Sequence, residues 1–310
     1  MKETLQAEKK KHQPKKKSKL YRKLSPYTPY LWLLPCLILI CTFILAPVAE
    51  TLLLSVSKVS RAGLRKGFNG FENFRYVFSR PEFGRVMFNT IVWDVVIVAV
   101  SMVFGLIMAL VLNQKFKGRK IVRTVMLLPW ATSALVTASC WKYIFDYQYG
   151  ALNALLLKLG LIETNINFLG NPTSAFICMI IVGIIVTVPF ITFTLLSGLQ
   201  SISDDYYEAA IIDGANFWQR LRHVTLPLLK PAINVSIVLN TIYVFNSFTI
   251  VHTITNGAPA HTTGTIMTYL YHMGFKNNNF GASAALSVIG FAILLVFALI
   301  YMRTQMKEDD

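Results

Sequence analysis

Two long stretches of this sequence carry no charged side chain. Residues 164–203 are 40 positions without Asp, Glu, Lys or Arg, and residues 231–275 are 45. A helix crosses the hydrocarbon core of a bilayer with about 20 apolar residues, so each stretch has room for a span. The whole chain is 15% charged and 54% hydrophobic, with a mean hydropathy of +0.51. A soluble domain is roughly 25% charged. That deficit excludes a water-soluble globule, a disordered chain, a collagen, a coiled coil and a disulfide scaffold. What remains is an all-α integral membrane protein.

Six stretches of the 310 residues qualify as spans: 31–56, 86–112, 124–145, 175–196, 228–250 and 282–302. The first holds Pro35, Pro47 and Glu50. The second holds Asp94, the third Pro129 and the fourth Pro189. Proline is tolerated in such helices because neighbouring helices satisfy the freed carbonyls.

The net charge of +15 is uneven. Residues 1–30 hold ten Lys/Arg and two acids, with runs at Lys9-Lys10-Lys11 and Lys15-Lys16-Lys17. Such a tail fixes topology and is drawn to anionic lipid. Nothing after it interleaves aromatic and basic residues as a nucleic-acid reader does, so no nucleic-acid partner is expected. The apolar stretch after the tail is too long for a cleavable signal. Lys115, Lys117, Arg119, Lys120 and Arg123 crowd the connection between spans two and three. The basic-residue rule makes that loop cytoplasmic, together with both termini and the loop near residues 201–226. This assignment puts 20 basic residues inside and 10 outside. One loop objects: residues 57–85 carry seven Lys/Arg against Glu72 and Glu82, yet fall outside.

The loop after span four is the most informative segment. It reads Ser203-Asp204-Asp205-Tyr206-Tyr207-Glu208-Ala209-Ala210-Ile211-Ile212-Asp213-Gly214-Ala215-Asn216 and continues to Leu226-Pro227. Asp205 can cap a short helix, with Glu208 at the capping-box position. Gly214 suits its left-handed end. Asn216 can cap a second helix, with Gln219 three residues on, and Pro227 fits the first turn of span five. The segment therefore predicts a compact helix–turn–helix elbow at the membrane surface.

Glu208-Ala209-Ala210, Gly214 and Val224-Thr225-Leu226-Pro227 resemble the Glu-Ala-Ala loop of permease subunits of binding-protein-dependent ABC importers, with Val for the usual Ile. Further pieces resemble the carbohydrate, maltose permease-like branch. These are Gly70-Phe71-Glu72-Asn73-Phe74, Leu127-Leu128-Pro129-Trp130, Gly150-Ala151-Leu152-Asn153 and Thr255-Asn256-Gly257-Ala258-Pro259, where Ala258 stands for a usual Gly. The resemblance runs from about residue 28 to the C-terminus.

The resemblance implies a type I ABC importer permease fold with six transmembrane helices in a bacterial inner membrane. Its partners would be a second permease, two ATP-binding subunits, an extracellular solute-binding protein, a sugar and membrane lipid. The elbow would be the coupling helix seated in the ATPase, with Glu208, Ala209, Ala210, Asp213, Gly214 and Pro227 as its residues. The expected organisation is a basic tail at 1–29, the first span and outer loop at 30–85, the importer domain at 86–303 with its elbow at 203–227, and a C-terminus at 304–310.

No phosphate loop, HExxH or GxSxG pattern is present. A non-catalytic subunit is expected, without catalytic residues or cofactor of its own, with ATP and magnesium bound by the partner ATPase. His12, His223, His252, His261 and His272 are scattered along the chain, and Cys36, Cys41, Cys140 and Cys178 lie in apolar stretches without close spacing. Neither set predicts a metal site, and the cysteines are expected to be buried.

In span five Asn240, Tyr243 and Ser247 follow helical spacings of three and four, so they share a face. A polar face is costly against lipid and should turn inward. It either bonds other helices or meets a sugar. By resemblance to the maltose permease, Asn240 and Ser247 match sugar-contacting positions, and Thr187 and Phe190 beside Pro189 match others. A second reading is a secondary, ion-coupled transporter using Asp94, since an intramembrane acid is a functional candidate.

Overall fold

A computed structural model of the chain describes residues 28–306. The basic tail and its expected attraction to lipid lie outside the described residues, as does Lys307. Five helices are long and apolar enough to cross a membrane, and a bent helix pair makes six when counted as one span.

Helix α1, Thr28–Ile40, passes through a π-helical turn at Cys41–Leu45 into α2, Ala46–Ser55. Pro47 follows two residues after that wide turn. Proline lacks an N–H and its ring crowds the carbonyl four residues back, so a locally wider turn relieves the clash.

The rest of the described chain is a helical body preceded by a short antiparallel hairpin. Strands β1, Ser57–Val59, and β2, Arg65–Phe68, pair with a register shift that leaves Lys66 unmatched. Helix α3 covers Glu72–Phe78. Helix α4, Pro81–Asn113, starts on a proline, where a missing N–H costs nothing. Two pieces follow, α5 at Arg119–Ala131 and α6 at Ala134–Ile144, bent by 95°. The expected single third span is thus broken, at Thr132-Ser133 rather than at Pro129. Pro129 sits within α5, and the Thr132 hydroxyl donates to its carbonyl at 3.0 Å.

Helix α7 is Ala151–Lys158. Helix α8, Pro172–Ser201, is capped by Asn171, whose side chain accepts from the Thr173 amide at 2.9 Å. α4 and α8 pack together through glycine. A Cβ on Gly183 would come within 2.4 Å of Ile97 Cδ1, and one on Gly105 within 2.4 Å of Ile191 Cγ2. The core around this crossing holds Trp93, Ile97, Met179, Val182 and Val186.

Short α9, Asp204–Ile212, leads to α10, Phe217–Arg220. α10 is not a separate elbow helix, as the sequence suggested. It runs through a second π-helical turn, Leu221–Thr225, into α11, Leu226–Phe245, and Pro227 again follows two residues after the wide turn. Span five therefore begins at Phe217. It breaks after Phe245 and resumes as α12, Thr249–Ile254. Helix α13, Ile266–Tyr271, passes through a third π-helical turn at His272–Lys276, and α14, Phe280–Met306, is the last span.

Buried polar groups fasten the loop between α12 and α13 to α4. Asn89 donates to the carbonyls of Thr262 at 2.8 Å and Gly264 at 3.1 Å, and the Ile266 amide donates to Thr90 Oγ1 at 2.9 Å. In a membrane such bonds remove the cost of exposed backbone.

Candidate functional site

The elbow is rigid for local reasons. Ser203, not Asp205, caps α9: its Oγ accepts from the Asp205 amide at 3.3 Å. No capping box with Glu208 forms, and Glu208 is exposed. At the other end Gly214 has φ of +76°. The Gly214 amide donates to the Ile211 carbonyl at 3.0 Å, and the Ala215 amide to Ala210 at 2.9 Å. This is the paired closure by which a left-handed residue terminates a helix. Asn216 and Gln219 form the expected reciprocal capping box, at 2.9 and 2.8 Å. The Tyr207 and Thr225 hydroxyls bond at 3.3 Å and tie α9 to the foot of span five.

The elbow's outer surface mixes apolar side chains with the exposed acids Asp204, Asp205, Glu208 and Asp213. Ile212 is 86% exposed and Trp218 73%, with Tyr206, Ile211 and Phe217 exposed beside them. Gln200, at the end of α8, accepts from Arg119 at 3.0 Å and Arg123 at 2.9 Å in the amide orientation that suits its neighbours. The basic connection after α4 and the elbow therefore lie at one end of the body.

A second feature lies between α5, α8 and α11. A cavity of about 270 Å³ is lined by Trp130, Val186, Thr187, Phe190, Leu239, Asn240 and Tyr243. Four of the five residues singled out for the substrate path meet here. Ser247 does not, because α11 ends at Phe245 and carries it off the shared face. Trp130 was not anticipated as a site residue, although its Leu-Pro-Trp setting was visible in the sequence. Its ring lies 6.3 Å from that of Phe190. Asn240 is 2% exposed, and its amide donates to the Ser236 carbonyl at 2.7 Å, leaving its Oδ1 and second amide hydrogen for a ligand. Thr187 donates to the Gly183 carbonyl at 2.7 Å and keeps acceptor capacity. Aromatic walls with a few convergent polar groups are the chemistry of a small-molecule site. A wider cavity shares Trp130 and Phe190 and continues past Thr194, Ser197 and Ser201, toward the elbow end of α8.

Asp94 lies elsewhere. It lines a cavity of about 590 Å³ whose walls are aliphatic and aromatic except for Thr90 and Thr241. Its Oδ1 is buried without a hydrogen-bond partner. No second ionisable group lines that cavity.

Three of the scattered histidines are gathered by the fold. His261 and His272 have ring centroids 4.9 Å apart, and His252 lies 6.5 Å from His272. His272 Nε2 bonds Asn256 Oδ1 at 3.0 Å. Burial, then the nearby Lys276 ammonium, push the His272 imidazole down to about 4. Among the described residues no three His, Cys, Asp or Glu are arranged to hold a metal ion. Of the cysteines only Cys178 is buried; Cys36, Cys41 and Cys140, expected to be buried, are exposed.

Residues 101–305 match the family described as the binding-protein-dependent transport system inner membrane component. The chain belongs to this family. The match covers the elbow, the cavity, three of the five long helices and the end of α4. The permease is 43% identical over 282 residues to a probable ABC transporter permease of Brucella abortus biovar 1 (strain 9-941), covering 91% of this chain and 98% of that one. It is 36% identical over 281 residues to the trehalose/maltose transport system permease protein MalF of Thermococcus litoralis, covering 91% and 94%. Its fold matches a chain in the crystal structure of a bacterial alginate ABC transporter bound to its alginate pentasaccharide-loaded periplasmic protein, with a TM-score of 0.79 and 23% identity, covering 92% and 96%. This permease thus has the type I ABC importer fold. Family membership does not favour the ion-coupled reading built on Asp94.

Proposed function

We propose that this permease forms the membrane pathway of an ATP-driven sugar or oligosaccharide importer, together with a second permease. The observation that carries the reading is the cavity in which Trp130 and Phe190 face Asn240, Thr187 and Tyr243. Flat aromatic walls cover the apolar faces of a sugar ring, and amides and hydroxyls bond its rim. The relatives named above, one for trehalose and maltose and one for alginate, support a carbohydrate substrate.

A solute-binding protein delivers the sugar on one side of the inner membrane. On the other side two ATP-binding subunits hold ATP and magnesium and receive the elbow. The permease itself catalyses nothing. Both termini, the Lys115–Arg123 connection and the elbow face the cytoplasm. Nucleotide binding moves the elbow, and the body rocks as a unit between two access states. The capped elbow, tied to the foot of span five through Tyr207 and Thr225, supports this, since a soft loop would absorb the motion.

Reconstitution with the partner subunits tests the reading. Uptake is expected to stop with vanadate and to survive an uncoupler. Uptake that stops with the uncoupler and survives vanadate would overturn it.

A further inference from the structure

One strongly charged surface has no part in transport as described. The connection between α2 and α4, with the start of α4, carries Lys58, Arg61, Arg65, Lys66, Arg75, Arg80 and Arg85 against Glu72 and Glu82. Arg80 is held by Tyr76, whose ring centroid is 4.5 Å from the guanidinium carbon. The other six are exposed, and among the described residues none forms an ion pair. A net charge of +5 here runs against the rule that basic residues accumulate on the cytoplasmic face.

The surface is built and fixed. Asn73 donates to the carbonyls of Ser55 and Ser57, both at 2.9 Å, and the Asn69 amide donates to Val56 at 2.8 Å. β1 starts two residues after α2 ends, and α4 starts three residues after α3 ends. Both flanking helices belong to spans, so the hairpin and α3 are confined to the boundary of the membrane. Large apolar side chains stand among the cations. Phe68 is 83% exposed and Phe71 76%, and Leu64 and Phe78 are exposed with them. A groove of about 590 Å³ places Arg75 among the rings of Phe71, Phe74 and Phe78, with Glu72 also on its wall.

The geometry points to a binding surface for anionic phospholipid on the membrane face that carries this connection. Arg75, Arg61, Arg65 and Lys66 meet headgroup phosphates, and the phenylalanines enter the acyl boundary. An acidic protein would neutralise the same cations. It would leave unexplained why four large apolar side chains crowd the edge of the bilayer, where lipid solvates them. The inference does not depend on which solute is carried.

The full chain is placed in nanodiscs of phosphatidylcholine, alone or mixed with phosphatidylglycerol. Hydrogen exchange of residues 57–80 and phosphatidylglycerol retained in native mass spectra are read. Slower exchange and retained lipid are expected in the mixed discs. Each neutralised cation should weaken retention by about fivefold, so R61Q/R65Q/R75Q should lose most of it. K115Q/K117Q, on the far connection, should leave the exchange of 57–80 unchanged. Equal exchange of the native chain in both discs would overturn the inference. So would protection that arises only when an acidic solute-binding protein is added.

Discussion

The indole Nε1 of Trp93 donates to the carbonyl oxygen of Val244 at 3.0 Å. Val244 lies in the last turn of α11, and its carbonyl also accepts from the Ser247 amide at 3.0 Å. Trp93 is buried on α4, so this bond fixes the point at which span five breaks. Trp93→Phe removes the donor and part of a packed ring. It is expected to cost about 2–4 kcal/mol of stability, read as a lower melting temperature in detergent. A melting temperature equal to the native one would show that the break is held by other contacts.

Asn240→Ala and Trp130→Ala should each lower uptake by roughly tenfold or more, since a lost buried polar contact is worth about 1–3 kcal/mol. Stimulation of the ATPase by the loaded binding protein should largely remain, because assembly does not involve the cavity. Ser247→Ala should change uptake little. If Ser247→Ala were as damaging as Asn240→Ala, the cavity would not be the sugar path.

In the elbow, a Cβ at Gly214 would meet no atom within 4 Å. The cost of substitution is therefore backbone conformation, about 1–2 kcal/mol for an ordinary residue with positive φ. Gly214→Asn should be tolerated better than Gly214→Leu. Ile212→Asp leaves the backbone alone and places charge on the most exposed apolar residue of α9. It should abolish co-purification with the ATPase while membrane insertion persists, as measured by pull-down and by blotting of membrane fractions. Glu208→Lys should uncouple as well.

Single cysteines in a cysteine-free chain test orientation. A cysteine at Ser79 should react with an impermeant maleimide on intact cells, and one at Gln114 only after the membrane is opened. The reverse pattern would put the elbow beyond reach of any cytoplasmic ATPase.

His272 makes stability depend on acid. Its imidazole stays neutral down to about 4 in the fold, whereas an unfolded histidine protonates near 6.5. The unfolded state thus binds more protons between those values, so this contribution is complete above pH 6.5 and is lost as pH falls toward 4. The native permease should lose melting temperature from pH 7 to pH 5 more steeply than His272→Gln does. Parallel slopes would assign the acid sensitivity to other groups.

What the sequence determined by itself was whatever is set locally. Runs without charge must become spans, because a lipid core admits little else. The elbow was legible because its hydrogen bonds join residues only a few positions apart: Asn216 with Gln219, and Gly214 closing the turn opened by Ala210 and Ile211. Even there neighbours competed, and Ser203 took the cap expected of Asp205. Tertiary structure decided everything that depends on packing between distant segments. It brought Trp130 to Thr187 and Asn240, bent the third span at Thr132-Ser133, ended α11 before Ser247 and drew His252, His261 and His272 together. Periodicity reports which face of a helix is polar. Only the crossing of α4 over α8, set by Gly105 and Gly183, and the breaks in the spans decide what that face meets.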